Sequence, residues 1–178
     1  YLDFETIQFA IPIWPGTRPY EQLPFQWSCH AEHADGTATH DEFLDTTGDA
    51  PMQRCMEHLI AAVGNAGPVF GYSGFEVRIL REAATRHPAL APQLNALAAR
   101  VIDLLPIVRS NYYHPAQNGS WSIKAVAPTI AADLAYDLLD EVSDGGGAQH
   151  AYAEMIDRQT PPDRKRRLEE SLRTYCRR

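Results

Sequence analysis

No stretch of this 178-residue chain approaches the roughly 20 apolar residues that a bilayer-spanning helix needs, so a membrane is not an expected partner. No basic-then-apolar leader opens it. It begins instead inside what reads as a strand, as expected of a domain excised from a longer protein. Cysteine is scarce. Cys29, Cys55 and Cys176 are odd in number and fit reduced thiols better than a disulfide framework, so the expected compartment is the cytoplasm. No internal repeat or low-complexity tract is present. No Gly-x-Ser-x-Gly elbow supports a serine hydrolase. No second Cys-x-x-Cys supports zinc. Cys29-His30-x-x-His33 and Cys55-x-x-His58 offer zinc-ligand types. Yet Cys55 falls on the apolar face of a helix and Cys29 alternates with Trp27 on a strand, so packing is the better reading.

Basic residues are nearly missing from the first fifty positions, where nine Asp or Glu face only Arg18. The net charge of −7 argues against non-specific coating of DNA. Half of all Lys and Arg lie between Arg158 and Arg178. An acidic pocket beside a basic flank suits a metal-using enzyme for a polyanion. The plainer alternative is a solvated face on the last helix.

What is present has the size and apolar content of one full core. Tyr1 to Glu5, Phe25 to Ala31 and Thr37 to Leu44 read as strands, the last two as a hairpin turning at His33 to Gly36. A proline-rich loop lies between the first two. Pro51 to Val63 is an amphipathic helix ending at Gly64. Pro68 to Tyr72 is a short buried strand, and Ser73 opens a helix to about Arg86. Pro88 to Ala99 is helical. Val101 to Val108 is a strand, or a strand followed by a helical turn. Asn111 to Ser120 is a loop. Ile123 to Tyr136 is mostly helical, with a break near Pro128. Asp144-Gly145-Gly146-Gly147 is a flexible turn. Ala148 to Asp157 and Asp163 to Arg178 are closing helices. A hairpin set followed by alternating strands and helices predicts a three-layer α/β domain with a central mixed sheet flanked by helices.

Asp3 and Glu5 carry the sharpest chemical signal. Residues i and i+2 of a strand share a face. Two like charges that close repel each other unless a divalent cation, a raised pKa or solvent exposure relieves them. Exposed acids on an edge strand are the bland reading. Apolar Leu2 and Phe4, and the alternation continuing through Ile7, Phe9 and Ile11, weigh against it. Oxygen ligands of this kind suit Mg2+ or Mn2+. Glu76 lies in the first turn of a helix after a buried strand. It could reach toward Asp3, or it could close a capping box with Ser73. Both roles stay open. Asp103 is an acid inside an apolar run.

Asp3-x-Glu5, Gly74-Phe75-Glu76 and Tyr175 in the last helix resemble the three motifs of the DEDD, or DnaQ-like, 3′–5′ exonuclease superfamily, with Glu replacing the usual Asp at 76. Val101-Ile102-Asp103-Leu104-Leu105, Tyr112-Tyr113-His114-Pro115 and Gly119-Ser120-Trp121-Ser122-Ile123-Lys124 resemble a narrower bacterial family, the "domain of unknown function 2779". This resemblance covers essentially the whole chain.

The superfamily resemblance implies a ribonuclease H-like fold over residues 1–178 as a single domain, ending just before the last catalytic Asp. It implies two Mg2+ or Mn2+ ions in the complete site, with Asp3, Glu5 and Glu76 as ligands and Tyr175 orienting water. The implied activity is two-metal 3′–5′ hydrolysis of single-stranded DNA or RNA, weak in this chain for lack of the final carboxylate. Other nuclease domains of the same polypeptide are implied partners. Expected substrate contacts are Phe4, Thr6, Lys124, Ser120, Trp121 and Tyr113. Tyr112 and His114 are further stacking candidates, and Asp103 has a supporting role. The rival reading is a catalytically degenerate nucleic-acid-binding or scaffolding domain. A third reading is a hydrolase of small phosphoesters, which the acidic charge suits.

Overall fold

A computed structural model describes residues 1–131 and 144–177. The fold is mixed α/β with two small sheets. Strands β1 (Leu2–Ile7), β2 (Leu23–Glu32) and β3 (Ala38–Leu44) form an antiparallel sheet in the order β1-β2-β3. Helix α1 (Met52–Val63) leads to β4 (Val69–Gly71). Helices α2 (Phe75–Arg86) and α3 (Ala91–Arg100) then cross over to β5 (Val101–Asp103), which pairs with β4 in parallel. Helices α4 (Leu104–Asn111), α5 (Ile123–Ile130), α6 (Gly145–Ile156) and α7 (Pro162–Cys176) complete the described chain.

The sequence predicts one central sheet, and here the structure differs. β1 and β4 are neighbours, but their sheets are assigned separately. Pro68 lacks an N–H and Gly71 ends the strand, so β4 has only three residues to offer a ladder.

Helices cover both faces of the hairpin sheet. One core joins Leu2, Phe4 and Trp27 to Cys55, Met56 and Leu59 of α1, Ile79 and Leu80 of α2, and Leu94 and Leu97 of α3. The other joins Ile7, Leu23 and Phe25 to Ala151 and Tyr152 of α6 and to Leu168 and Leu172 of α7.

β2 serves both cores because it is bulged. The register slips between Glu5 and Thr6, opposite Gln26 and Pro24, which leaves Phe25 as the extra residue. Strict alternation would put Phe25 and Trp27 on one face. The bulge sends Phe25 into the α6/α7 core and Trp27 into the α1–α3 core. Phe25 stacks on Tyr152 with ring centroids 3.9 Å apart.

β1 runs two residues past its expected end at Glu5, to Ile7, and Ile11 is exposed. One local expectation needs correction. Asp144 to Gly147 is not a turn. Asp144 is the N-cap of α6, accepting a hydrogen bond from the Gly147 N–H at 2.7 Å, and the three glycines form the helix's first turn. Tertiary packing of the next residues, Ala148 and Ala151, overrides glycine's poor helix propensity. The expected break near Pro128 is seen: α5 ends two residues later at Ile130, and Ala131 is extended. The expectation for 132–136 lies outside the described residues, as does that for Arg178.

The Tyr152 hydroxyl is buried without a partner, and burial pushes its pKa far up. Tyr152→Phe removes that cost and keeps the stack, so it is expected to be neutral or to stabilise by about 1 kcal/mol in urea denaturation. Tyr152→Ala is expected to cost about 3–5 kcal/mol.

Candidate active site

The fold brings four distant segments to one cleft of about 550 Å³. β1 supplies Asp3 and Glu5, and the start of α2 supplies Glu76. The end of α7 supplies Tyr175, and Trp121 and Lys124 line the same cleft. Asp3 and Glu5 share a face of β1, opposite Ser28 and Gln26 of β2. Phe4 points the other way into the α1–α3 core, though it borders the cleft.

Glu76 is delivered by a constrained turn. No capping box forms at α2: its N-cap is Gly74, with no side-chain cap. Ser73 and Gly74 are both left-handed, with φ of 81° and 68°. Only glycine adopts that conformation cheaply, so Ser73 carries strain. Asp103 holds the turn. Its Oδ1 accepts from the Ser73 N–H at 2.8 Å and from the Leu105 N–H at 2.9 Å, which also caps α4. Asp103 is therefore a support beneath the cleft and not part of its lining.

Gly71 is the second device. A Cβ there would meet Glu76 Oε2 at 2.6 Å, so only glycine lets the carboxylate fold back over the end of β4. Glu76 is buried, and its Oε2 has no hydrogen-bond partner. That oxygen is the clearest unmet polar group of the cleft.

All three acids hold protons unusually well. Burial pushes Asp3 up to about 6, against the pull of the Phe4 N–H and of Lys124. Burial and then the Asp3 charge push Glu5 up to about 8; Lys124 lowers it and Asp144 raises it. Burial pushes Glu76 up to about 7, with Asp3 and Asp103 adding to the rise and backbone N–H groups opposing it. The α6 N-terminus approaches Glu5 closely, since a Cβ on Gly145 would lie 3.8 Å from Glu5 Oε2. Its dipole favours the ionised acid, whereas the Asp144 charge opposes it.

On the far wall, Tyr175 Oη accepts from Lys124 Nζ at 3.3 Å. The Tyr72 hydroxyl donates to the Trp121 carbonyl at 2.8 Å and ties the 112–122 loop to the end of β4.

Six expected site residues do not line the cleft, Tyr112 and His114 among them. Thr6 is buried past the bulge, Tyr113 is exposed, Asp103 lies below, and Ser120 stays on the loop outside. Ser28, Tyr72, Ser73, Phe75 and Cys176 line the cleft although no motif singled them out as ligands, and His30, weighed only for zinc, lines it too. The hairpin register that sets Ser28 opposite Asp3 is the signal for the first of them.

The donor set is all oxygen, which suits Mg2+ or Mn2+, and the unpartnered Glu76 Oε2 gives such an ion a contact to satisfy. Among the described residues no three such side chains are arranged so that they could hold an ion as they stand. The Cys29 and Cys55 pairs do not meet as a zinc set; Cys55 lies wholly inside the α1–α3 core.

A family model described as "Domain of unknown function (DUF2779)" matches residues 1–122. The chain belongs to this family. The match takes in Asp3, Glu5, Glu76 and Trp121, while Lys124 and Tyr175 lie beyond it. No curated protein and no solved structure matches the chain. No helix among the described residues is long and apolar enough to cross a membrane.

A carboxyl with a raised pKa binds its proton more tightly folded than unfolded. These acids therefore cost stability increasingly as pH rises from about 4, the ordinary carboxylate value, to about 8 for Glu5. Glu5→Gln is expected to raise the Tm by roughly 3–6 °C at about pH 8, with no gain near pH 4, read by calorimetry. An unchanged Tm at the higher pH would mean that the Glu5 carboxylate is not under electrostatic strain.

Proposed function

We propose that this chain is a metal-dependent exonuclease-type domain that hydrolyses single-stranded nucleic acid from the 3′ end. The reading takes the fold as ribonuclease H-like and the site as DEDD-type. One observation carries it. Half-buried Asp3 and buried Glu5 of β1, with buried Glu76 of α2 and its unpartnered oxygen, share a single cleft with a tyrosine from α7. Two further features support it: helices on both faces of the hairpin sheet, and the placement of β4 beside β1.

Asp3, Glu5 and Glu76 would hold the ions. When bound, Mg2+ or Mn2+ supplies Lewis acidity and offsets the charge that builds on a phosphodiester under attack. The protein's own groups do the rest. The Tyr175 hydroxyl faces the acids and orients the attacking water. The water oxygen bonds to phosphorus and its proton passes to solvent, while the bond from phosphorus to the 3′ oxygen breaks and that oxygen takes up a proton from solvent. Trp121 offers an aromatic face at the cleft wall for a terminal base.

The test is Mn2+-dependent digestion of a 3′-labelled single strand, with Asp3→Ala as control. Release of labelled mononucleotide, reduced at least about 100-fold by Asp3→Ala, is the expected result. Retention of the strand without cleavage, under Mn2+ and under Mg2+, would replace this reading with the binding domain that has lost its chemistry. Cleavage of a mononucleotide ester but not of the strand would favour a small-phosphoester hydrolase.

A further inference from the structure

The cleft holds three carboxyl groups on two separate segments, and among the described residues no three such side chains are arranged so that they could hold one ion as they stand. Acids set apart in this way suit a ligand whose own positive charge is divided. Glu76 stands at the start of α2, with its Oε2 buried and without a hydrogen-bond partner. Asp3 and Glu5 stand together on β1, and the Asp3 charge reaches Glu76. A metal ion needs several oxygens around one point. An alkylammonium carries its own N–H donors, and a single carboxylate oxygen is enough to receive it.

The rest of the lining fits the carbon chain of such a ligand. Tyr72 and Trp121 are half-buried and line the same cleft. The Tyr72 hydroxyl donates to the Trp121 carbonyl at 2.8 Å, which holds their two segments together. Aromatic rings cover methylene groups and attract ammonium groups to their π faces. The cleft already receives one ammonium in this way. Lys124 Nζ, at the end of a four-carbon stem, donates to Tyr175 Oη at 3.3 Å and lies 5.3 Å from the centroid of that ring. The described lining has one lysine and no arginine against three carboxyl side chains, so acid remains in surplus. The volume of about 550 Å³ is that of a small-molecule pocket.

We infer that the cleft is a binding site for an aliphatic diamine, with one ammonium at Glu76, the other at the Asp3 and Glu5 pair, and the methylene chain against Tyr72 and Trp121. The ligand gives the unpartnered Glu76 oxygen a donor. The Lys124 ammonium keeps its place on Tyr175 throughout. This goes beyond the function proposed above and does not depend on it, since the diamine site requires neither a divalent ion nor cleavage of a strand.

Isothermal titration of the chain with butane-1,4-diamine, in EDTA and at low salt, tests it with no metal present. The diamine is expected to bind at least about tenfold more tightly than butylamine, which offers one ammonium only. Glu76→Gln removes one carboxylate, and Trp121→Leu removes an aromatic wall while keeping the carbonyl that Tyr72 engages. Each is expected to weaken the diamine about fivefold or more. Glu32→Gln alters an exposed acid at the end of β2, outside the cleft, and is expected to leave the affinity within about twofold. A loss in Glu32→Gln equal to that in the cleft variants would mean diffuse attraction to a chain of net charge −7 and overturns the site. Butylamine binding as tightly as the diamine overturns it as well. So does the absence of diamine binding, which leaves Mn2+-dependent cleavage to be judged by its own assay. Should Glu76→Gln fail to fold, Trp121→Leu and the butylamine comparison carry the test.

Discussion

Three carboxyl groups share one poorly solvated cleft, and most of what is unusual in this structure follows from accommodating them. Taking a carboxylate out of water is costly, and each additional one nearby raises the cost. The chain answers with devices at every level. A lysine ammonium lies opposite Asp3 and Glu5, seated on Tyr175. The N-terminus of α6 comes up to Glu5 with no side chain in the way. Gly71 clears room for Glu76, and a left-handed turn at Ser73 and Gly74, pinned by Asp103, aims it. None of these helps the fold hold together as well as plain apolar packing would. Strain concentrated in this way belongs at functional sites.

Stability comes from elsewhere. The two cores lie on opposite sides of the hairpin sheet, and each buries side chains from at least two helices. The bulge at Phe25 links cores and site. It lets β2 fill the α6/α7 core with Leu23 and Phe25 and still set Gln26 and Ser28 opposite the acids of β1. Gln26 then donates to the Leu172 carbonyl at 3.0 Å and fixes α7 against the sheet, with Tyr175 one turn further on. Tyr175 and the acids are thus registered to each other through one buried side chain.

Much of this was legible in the residues. The i, i+2 spacing placed Asp3 and Glu5 on one face, and the hairpin, the amphipathic α1 and the strand before Glu76 followed from their patterns. What was hidden depends on backbone or distant partners. Ser73-x-x-Glu76 has the letters of a capping box, but Ser73 at φ 81° cannot act as an N-cap. The glycines after Asp144 read as a turn because propensity is local, whereas α6 is stabilised by packing. The bulge has no sequence signature, whereas the exclusion of Thr6 follows from alternation alone, since it falls on the face of β1 opposite Asp3 and Glu5. Asp103 looked like an isolated acid until the turn it supports came into view. The aromatic loop showed its composition, but only folding separates Trp121, at the wall, from exposed Tyr113.

The central claim is that the acid cluster is a divalent-cation site whose strain the ion relieves. Calorimetric melting as a function of Mn2+ concentration at about pH 7.5 tests it most directly, comparing the parent chain with a doubly neutralised Asp3→Asn, Glu5→Gln chain. The account predicts that the parent Tm climbs steadily with Mn2+, by about 2.7 kcal/mol of added stability at a hundredfold excess over the Kd, while the neutral chain starts higher and stays flat. A parent Tm indifferent to Mn2+ would contradict it.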